Sequence, residues 1–401
     1  MSKAVYRSWR IVLLLMATLV LVAVRGRAET GMCDGASITI PFMDVSASDM
    51  FFCSIAAAYF SGLTNGTSST TYSPNDPVPR EQMAAFVSRT LDQGLRRGSR
   101  RAILNQWWTP SVFASTTRSS INAASWYVAY DGADLWATNP DIGFVTRVRA
   151  SDGDEKQFWV GAIQPFGVLV AQGAVRVTGN TDPGRLYTID PRTLGQSGNV
   201  TLITDQLGAF PVGIAFDGTA IWTANQGGSV SVVSNGVMTV SAGFVSPWGI
   251  LYDGANIWLT DRGDNQLKKV TSNASIATSI TVGSDPQQPI FDGANIWVPN
   301  RLSNTLTVVR VKDSAGNPLT SPFVMATLSG NGLNDPRTVA FDGQRILVTN
   351  FGGDSVSLWK ATDLTPLGVF STGASTGPNG ACSDGVNFWV TLHGTAQLLR
   401  F

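Results

Sequence analysis

Apolar and polar positions alternate in short bursts through most of the chain. Val212 to Phe216 is an apolar stretch broken by Asp217-Gly218, and Ala220 to Ala224 resumes it around Trp222. A third stretch, Val230-Ser231-Val232-Val233, and a fourth near Met238–Ser241 follow. Runs of this length with near period-two alternation predict strands, and Asp-Gly between two of them predicts a tight hairpin turn. The segment therefore reads as four antiparallel strands with no helix between them.

The same phrase returns along the chain: Asp-Gly, a Trp five residues after the Asp, and an Asn or Asp eight residues after it. It is clear at Asp131…Trp136…Asn139, Asp217…Trp222…Asn225, Asp253…Trp258…Asp261 and Asp292…Trp297…Asn300, and weaker at Asp342…Leu347…Asn350 and Asp384…Trp389. The gap of 86 residues between Asp131 and Asp217 is about twice the others, which run from 36 to 50. Gln172-Gly173…Val177…Asn180 fills it as a degenerate copy. Seven four-stranded units in succession predict a mainly β fold, a seven-bladed β-propeller over residues 103–401 with the Trp packed between blades. The last copy has room for three strands before Phe401, so its fourth is expected from the segment around Ile103–Ser115, closing the ring.

Composition narrows the setting. Lys+Arg and Asp+Glu number 28 each, so no overall field draws in nucleic acid or an anionic membrane surface. Lys3, Arg7 and Arg10 precede an apolar run from Ile11 to Val24, with Gly26 and Ala28 beyond it. Residues 1–28 thus read as a signal peptide, the apolar run being too short for a membrane span, and the mature chain is expected to be exported with no transmembrane segment. Cys33 and Cys53 lie close in sequence in a small N-terminal unit, where a disulfide would compensate for a shallow core. Cys382, in an apolar strand of the last repeat, reads as a buried inert thiol.

Residues 38–95 break the repeat. Phe52, Ile55, Ala56 and Tyr59 stand at helical offsets within Asp49–Phe60, and Met83, Phe86, Val87 and Leu91 within a second helix beginning at Arg80. The order Phe42-Met43-Asp44-Val45, Gly62-Leu63-Thr64-Asn65-Gly66, Tyr72-Ser73-Pro74-Asn75 and Pro79-Arg80-Glu81-Gln82 is similar to one S-layer homology module. The resemblance implies a small α-helical module that anchors its protein to a cell-wall polymer or other envelope glycan, with Arg80 and Glu81 near the glycan site. Phe51 or Phe52 stands where that family usually has Trp, and one module is present where three are usual. Arg96, Arg97, Arg100 and Arg101 form a basic linker, 96–102.

The repeat region resembles the YVTN and NHL-like propellers through Pro336…Val339-Ala340-Phe341-Asp342-Gly343 and Ile346-Leu347-Val348-Thr349-Asn350, a likeness that implies fold alone. Residues recurring in every blade read as scaffold, so function is sought where the repeat is broken. The loop entering the first strand and the turn leaving the second share one face, at the mouth of the central channel. Trp248, Gln287, Arg337 and Asn379 stand there or next to the repeat Pro, and Arg262, Asp264, Arg301 and Phe351 after the repeat Asn or Asp. Trp248 with Arg262, Arg301 and Arg337 suits a protein or glycan carboxylate, with Asp264 among them. The alternative pairs the arginines with Asp261, Asp264 and Asp335 as rim salt bridges.

His393 is the only histidine, and Glu155 the only glutamate of the ring segment, so a multi-histidine site is excluded and no glutamate stands in the mouth loops. Neither metal nor cofactor is expected. The reading is a secreted, envelope-associated binding protein; the rival is a secreted propeller enzyme, a metal-dependent lactonase or lyase.

Overall fold

The computed structural model describes residues 28–33, 36–60, 64–80, 83, 117–121, 123–150, 153, 155–192, 197–234, 237–313 and 315–401. The expected signal peptide, Glu81, most of the expected second helix and the basic linker lie outside them.

Seven sheets, antiparallel but for one added strand, form the larger unit. Blade 3 shows the plan: Pro211–Phe216, Ile221–Asn225, Ser229–Ser234 and Val237–Ala242 pair in sequence order. The first strands of six of the blades line a central cavity of about 120 Å³. Blade 7 takes its fourth strand from Thr117–Ser120, which pairs with Gln397–Arg400. The ring is therefore closed by joining both ends of the domain, but with a segment later than Ile103–Ser115. Ile121, buried against Trp389 and Leu398, anchors it there. Blade 1 carries a fifth strand, Ser197–Asn199, which leaves blade 2 to pair in parallel with Glu155–Val160.

The recurring phrase proves to be a joint. In six blades, the five with the repeat Trp and blade 6, the first Asp Oδ atom accepts the backbone amides two and three residues on, as Asp217 does from Thr219 and Ala220 at 2.8 and 2.7 Å. The second accepts the indole Nε1–H of the repeat Trp at 2.6–2.8 Å in all five. Each of these tryptophans is fully buried, and each packs on the neighbouring blade, as Trp222 does on Ile250, Ile257 and Leu259. In blade 6, where Leu347 replaces the Trp, the Nε–H of Arg345 donates to the same Oδ2 of Asp342 at 2.8 Å. An unpaired indole N–H in such a core would cost about 1–3 kcal/mol, so Asp and Trp are needed together.

The smaller unit has its own core of Cys33, Ile38, Ile40, Phe42, Val45, Phe52, Ile55 and Ala56. A hairpin of Glu29–Cys33 with Ala36–Ile40 precedes the helix Phe52–Phe60. The expected module start at residue 38 thus falls inside this hairpin. The helix starts three residues later than expected because Asp49 holds a turn before it: its carboxylate accepts the Phe51 amide at 2.8 Å, and its carbonyl accepts the Phe52 amide. Cys33 and Cys53 are disulfide-bonded, with Cα atoms 5.5 Å apart.

Candidate functional site

The mouth of the channel is shaped by a repeated irregularity. In blades 2, 3, 4, 6 and 7 the pairing of strands one and two slips immediately after the leading proline, at Pro165, Pro211, Pro247, Pro336 and Pro378. Such a bulge re-aims the side chains within it. The bulged residues include Phe166, Val212, Trp248, Arg337 and Asn379. Four of them precede a glycine, and an added Cβ would collide with the next blade: Gly167 with the carbonyl of Val212 at 2.2 Å, Gly213 with that of Trp248 at 2.5 Å. Glycine here permits close approach of backbones, and Thr clamps the approach. Thr260 Oγ1 accepts the Gly249 amide at 2.9 Å and donates to the carbonyl of Gln287 in the next blade at 2.9 Å. Thr138, Thr349 and Thr391 likewise donate to the carbonyls of Phe166, Asn379 and Trp126.

On this frame ten side chains close a ring of contacts around the mouth. Arg262 lies over the Trp248 indole, 4.0 Å from its centroid. Trp248 meets Phe166 edge-on at 6.0 Å, Phe166 meets Trp126 at 5.3 Å, and Trp126 meets His393 at 4.9 Å. His393 is 6.4 Å from Phe351, over which Arg337 stands at 4.6 Å. The other half is ionic. Arg337 donates to both oxygens of Asp335, at 2.6 and 2.9 Å. Arg301 bridges Asp335 at 3.2 Å and Asp285 at 3.0 Å, and Asp285 takes a bidentate pair from Arg262.

Convergence and pairing therefore coexist: the three arginines meet through two shared carboxylates. The partners are Asp285 and Asp335, not Asp261 or Asp264. Both aspartates precede a proline and hold the left-handed backbone, with φ of 56° and 51°. Asp tolerates that conformation better than most residues. Asp264 is instead bonded by the buried Lys268, which also donates to Asp261 at 2.7 Å. Burial pushes the Asp261 carboxyl up, but Lys268 and the amides of Val245 and Ser246 outweigh it and hold it below the ordinary range. Gln287 and Asn379 serve the frame: Gln287 Nε2 donates to the Asp285 carbonyl and Asn379 Nδ2 to that of Trp126.

Below the ring stands Tyr127, 5.4 Å from Phe166. Burial pushes its phenol up to about 12, against weaker opposing pulls from Trp248, Arg337 and Arg262. It is a neutral hydroxyl at physiological pH. The Trp248 indole N–H, beside it, is buried without a well-formed hydrogen bond, and so is Nδ1 of His393.

Sequence reasoning named Trp248, Arg262, Arg301, Arg337 and Phe351, which lie in the ring, and Asp264, which does not. It missed Trp126, Tyr127, Phe166, His393 and Asp285. The rule that found the first group, residues after the leading Pro and after the repeat Asn, also reaches Phe166 and His393 when applied to blades 2 and 7. Asp285 needed a third rule, the residue before the leading Pro. Elsewhere, Cys382, expected to be buried, is half-buried, and desolvation with the Asp384 carboxylate pushes its thiol up.

In the smaller unit, Asp44 accepts the amides of Tyr72 and Ser73 at 2.8 and 2.7 Å, tying the two quoted motifs together. Asp49, Met50, Phe51, Ser54, Ile55, Tyr72, Pro74 and Asn75 line an open depression of about 660 Å³. Phe51 is its exposed aromatic, whereas Phe52 is buried in the core. Arg80 is exposed and begins a helical turn, in which the Met83 amide donates to the Pro79 carbonyl at 3.0 Å. Among the described residues, no cluster of three His, Cys, Asp or Glu side chains could hold a metal ion, and no helix is long and apolar enough to cross a membrane.

Residues 41–84 match the family model of the S-layer homology domain, a domain that binds cell-wall polymers. No curated protein matches the chain. Solved propellers do. Virginiamycin B lyase from Staphylococcus aureus is similar at 14% identity and a TM-score of 0.59, over 71% of this chain and 98% of that one. Hydrazine synthase of Kuenenia stuttgartiensis is similar at 16% identity and 0.56, over 71% and 97%. The Swd1 propeller domain of Myceliophteria thermophila is similar at 10% and 0.59, over 71% and 99%. At these identities the likeness shows the fold alone.

Proposed function

We propose that this is an exported envelope protein whose S-layer homology module holds a wall polymer and whose propeller presents its channel mouth to a protein or glycan ligand. Residues 1–28 act as the export signal, and Arg80, Glu81 and the depression beside Phe51 receive the polymer. The observation that carries the propeller reading is the closed ring at the mouth. It is built almost wholly from side chains that break the repeat, set on a frame of bulges, glycines and threonines that recurs in most blades. A frame repeated from blade to blade explains their packing, but not the five aromatic or imidazole rings and three arginines gathered at one end.

The enzyme alternative, a metal-dependent lactonase or lyase, would need carboxylates free to ligate. Asp285 and Asp335 are each engaged by two arginines. Metal titration with lactone and glycan turnover assays tests this point, and metal-dependent turnover would overturn the binding reading. For the anchor, co-sedimentation with purified wall material is the direct assay. Binding is expected for the full chain and not for a variant lacking residues 38–95; unchanged sedimentation of that variant refutes the anchoring role.

A further inference from the structure

The exposed large apolar side chains of the propeller are unevenly placed. Those on connecting segments, namely Ile142, Ile163, Phe210, Val245 and Leu302, are 43–68% exposed, and every one lies on the mouth face. Ile142 and Leu302 sit in turns leaving second strands, and the other three in loops entering first strands. The remaining exposed large apolar side chains of the propeller, as described, all lie on fourth, outermost strands. Among the described residues, none of these marks the connections of the opposite face.

Hydrogen-bonding capacity at the ring is also one-sided. Each guanidinium has five N–H donors and no acceptor. Arg262, Arg301 and Arg337 spend part of theirs on Asp285 and Asp335, whose oxygens they already occupy, and one positive charge is left over within the ring. Lys268 with Asp261 and Asp264 leaves one negative charge, and Asp141, Asp182 and Asp354 in the turns of the same face add to it, so the face as a whole is acidic and draws no anion in from a distance. Selection then depends on donor geometry at short range rather than on steering.

From these observations we infer that the occupant of the mouth is a protein segment carrying a carboxylate side chain between apolar residues. The carboxylate accepts from Arg301, the most exposed of the three arginines at 33%, and the flanking apolar side chains cover the arc from Ile142 to Leu302. This rests on the mouth being the ligand site. A wall sugar acid would use the ring but not the apolar arc, whereas central Trp and Arg groups inside an apolar and polar margin match the anatomy of protein recognition.

The test is to pan the full chain against a phage-displayed random dodecapeptide library and to measure the enriched peptides by fluorescence anisotropy, with oligogalacturonate as the glycan probe. Enriched peptides are expected to carry Asp or Glu beside apolar residues. Changing that residue to its amide, or Arg301→Gln in the protein, should each weaken binding about tenfold or more, and the two losses should not add. Arg301→Gln leaves each aspartate its other arginine, so an unchanged melting temperature separates this effect from misfolding. Ile142→Ser and Leu302→Ser should each weaken the peptides several-fold. No enrichment of acidic peptides, or additive losses, overturns the inference. If oligogalacturonate alone binds and Arg301→Gln abolishes it, the inference fails while the mouth remains the ligand site. If neither probe binds, or binding ignores Arg301→Gln, both fall.

Discussion

Gly249→Ala tests whether the inner ring of blades is held by close backbone approach. The residue has an ordinary backbone conformation, so only space decides the outcome. A Cβ built there stands 2.4 Å from Pro289 Cδ, 2.8 Å from Gln288 Cα and 2.9 Å from the Gln287 carbonyl oxygen, all in blade 5. Carbon atoms pack at about 3.5–4.0 Å, so blade 5 would have to retreat by about 1 Å. It cannot do so freely, because the bond from Thr260 to the Gln287 carbonyl spans the same junction. Overpacking of this kind costs about 1–3 kcal/mol, and a loss near 2 kcal/mol is expected in urea unfolding followed by far-ultraviolet circular dichroism. The displacement also reaches the mouth, since Trp248 precedes the glycine and Arg262 is stacked on it. A changed near-ultraviolet signal from the tryptophans should accompany it. Gly218→Ala is the comparison: nothing lies within 4 Å of its Cβ, but φ is +98°, so its cost is strain alone, about 1 kcal/mol. If Gly249→Ala stays within about 0.5 kcal/mol of wild type, close approach does not stabilise the ring as argued.

Three further outcomes follow from the same contacts. Asp292→Ala orphans the buried Trp297 indole N–H and two turn amides, for a loss of about 3 kcal/mol; adding Trp297→Phe should recover part of it, and additive losses would contradict the joint. Replacing Cys33 and Cys53 by serine opens a loop spanning 20 residues and should destabilise the smaller unit by about 3 kcal/mol in calorimetry, with the propeller transition unmoved as the check. At Asp217, burial raises the carboxyl, but the Ala220 and Thr219 amides and the Trp222 indole outweigh it and hold the pKa below the ordinary range. A depressed folded pKa stabilises above the unfolded value of about 3.9 and is lost as pH falls through the folded one. Asp217→Asn should therefore trail wild type at neutral pH, and the gap should narrow below about pH 4 in thermal melts; a constant gap would show that the linkage is absent.

The sequence by itself determined the blade number, the strand plan and the scaffold nature of the recurring phrase. These depend on local pattern: period-two alternation, an Asp that caps its own turn, and a Trp within reach of that Asp. The weaker copy at Asp342 kept the joint, since Arg345 reaches the oxygen that the missing indole would have used. The helix start and the closing strand were read a few residues off: Asp49 holds a local turn ahead of the helix, and the closing strand is set by the burial of Ile121 against Trp389 and Leu398. Only the tertiary structure decided how the mouth is wired. Arg262 meets Asp285 across 23 residues, Arg301 meets Asp335 across 34, and Trp126 meets His393 through the closure of the ring. Whether three arginines repel, pair locally or share two carboxylates turns on distances of a few ångströms between blades. Those distances are set by bulges, by glycines with no room for a Cβ and by threonine clamps, and the repeat spacing does not report them.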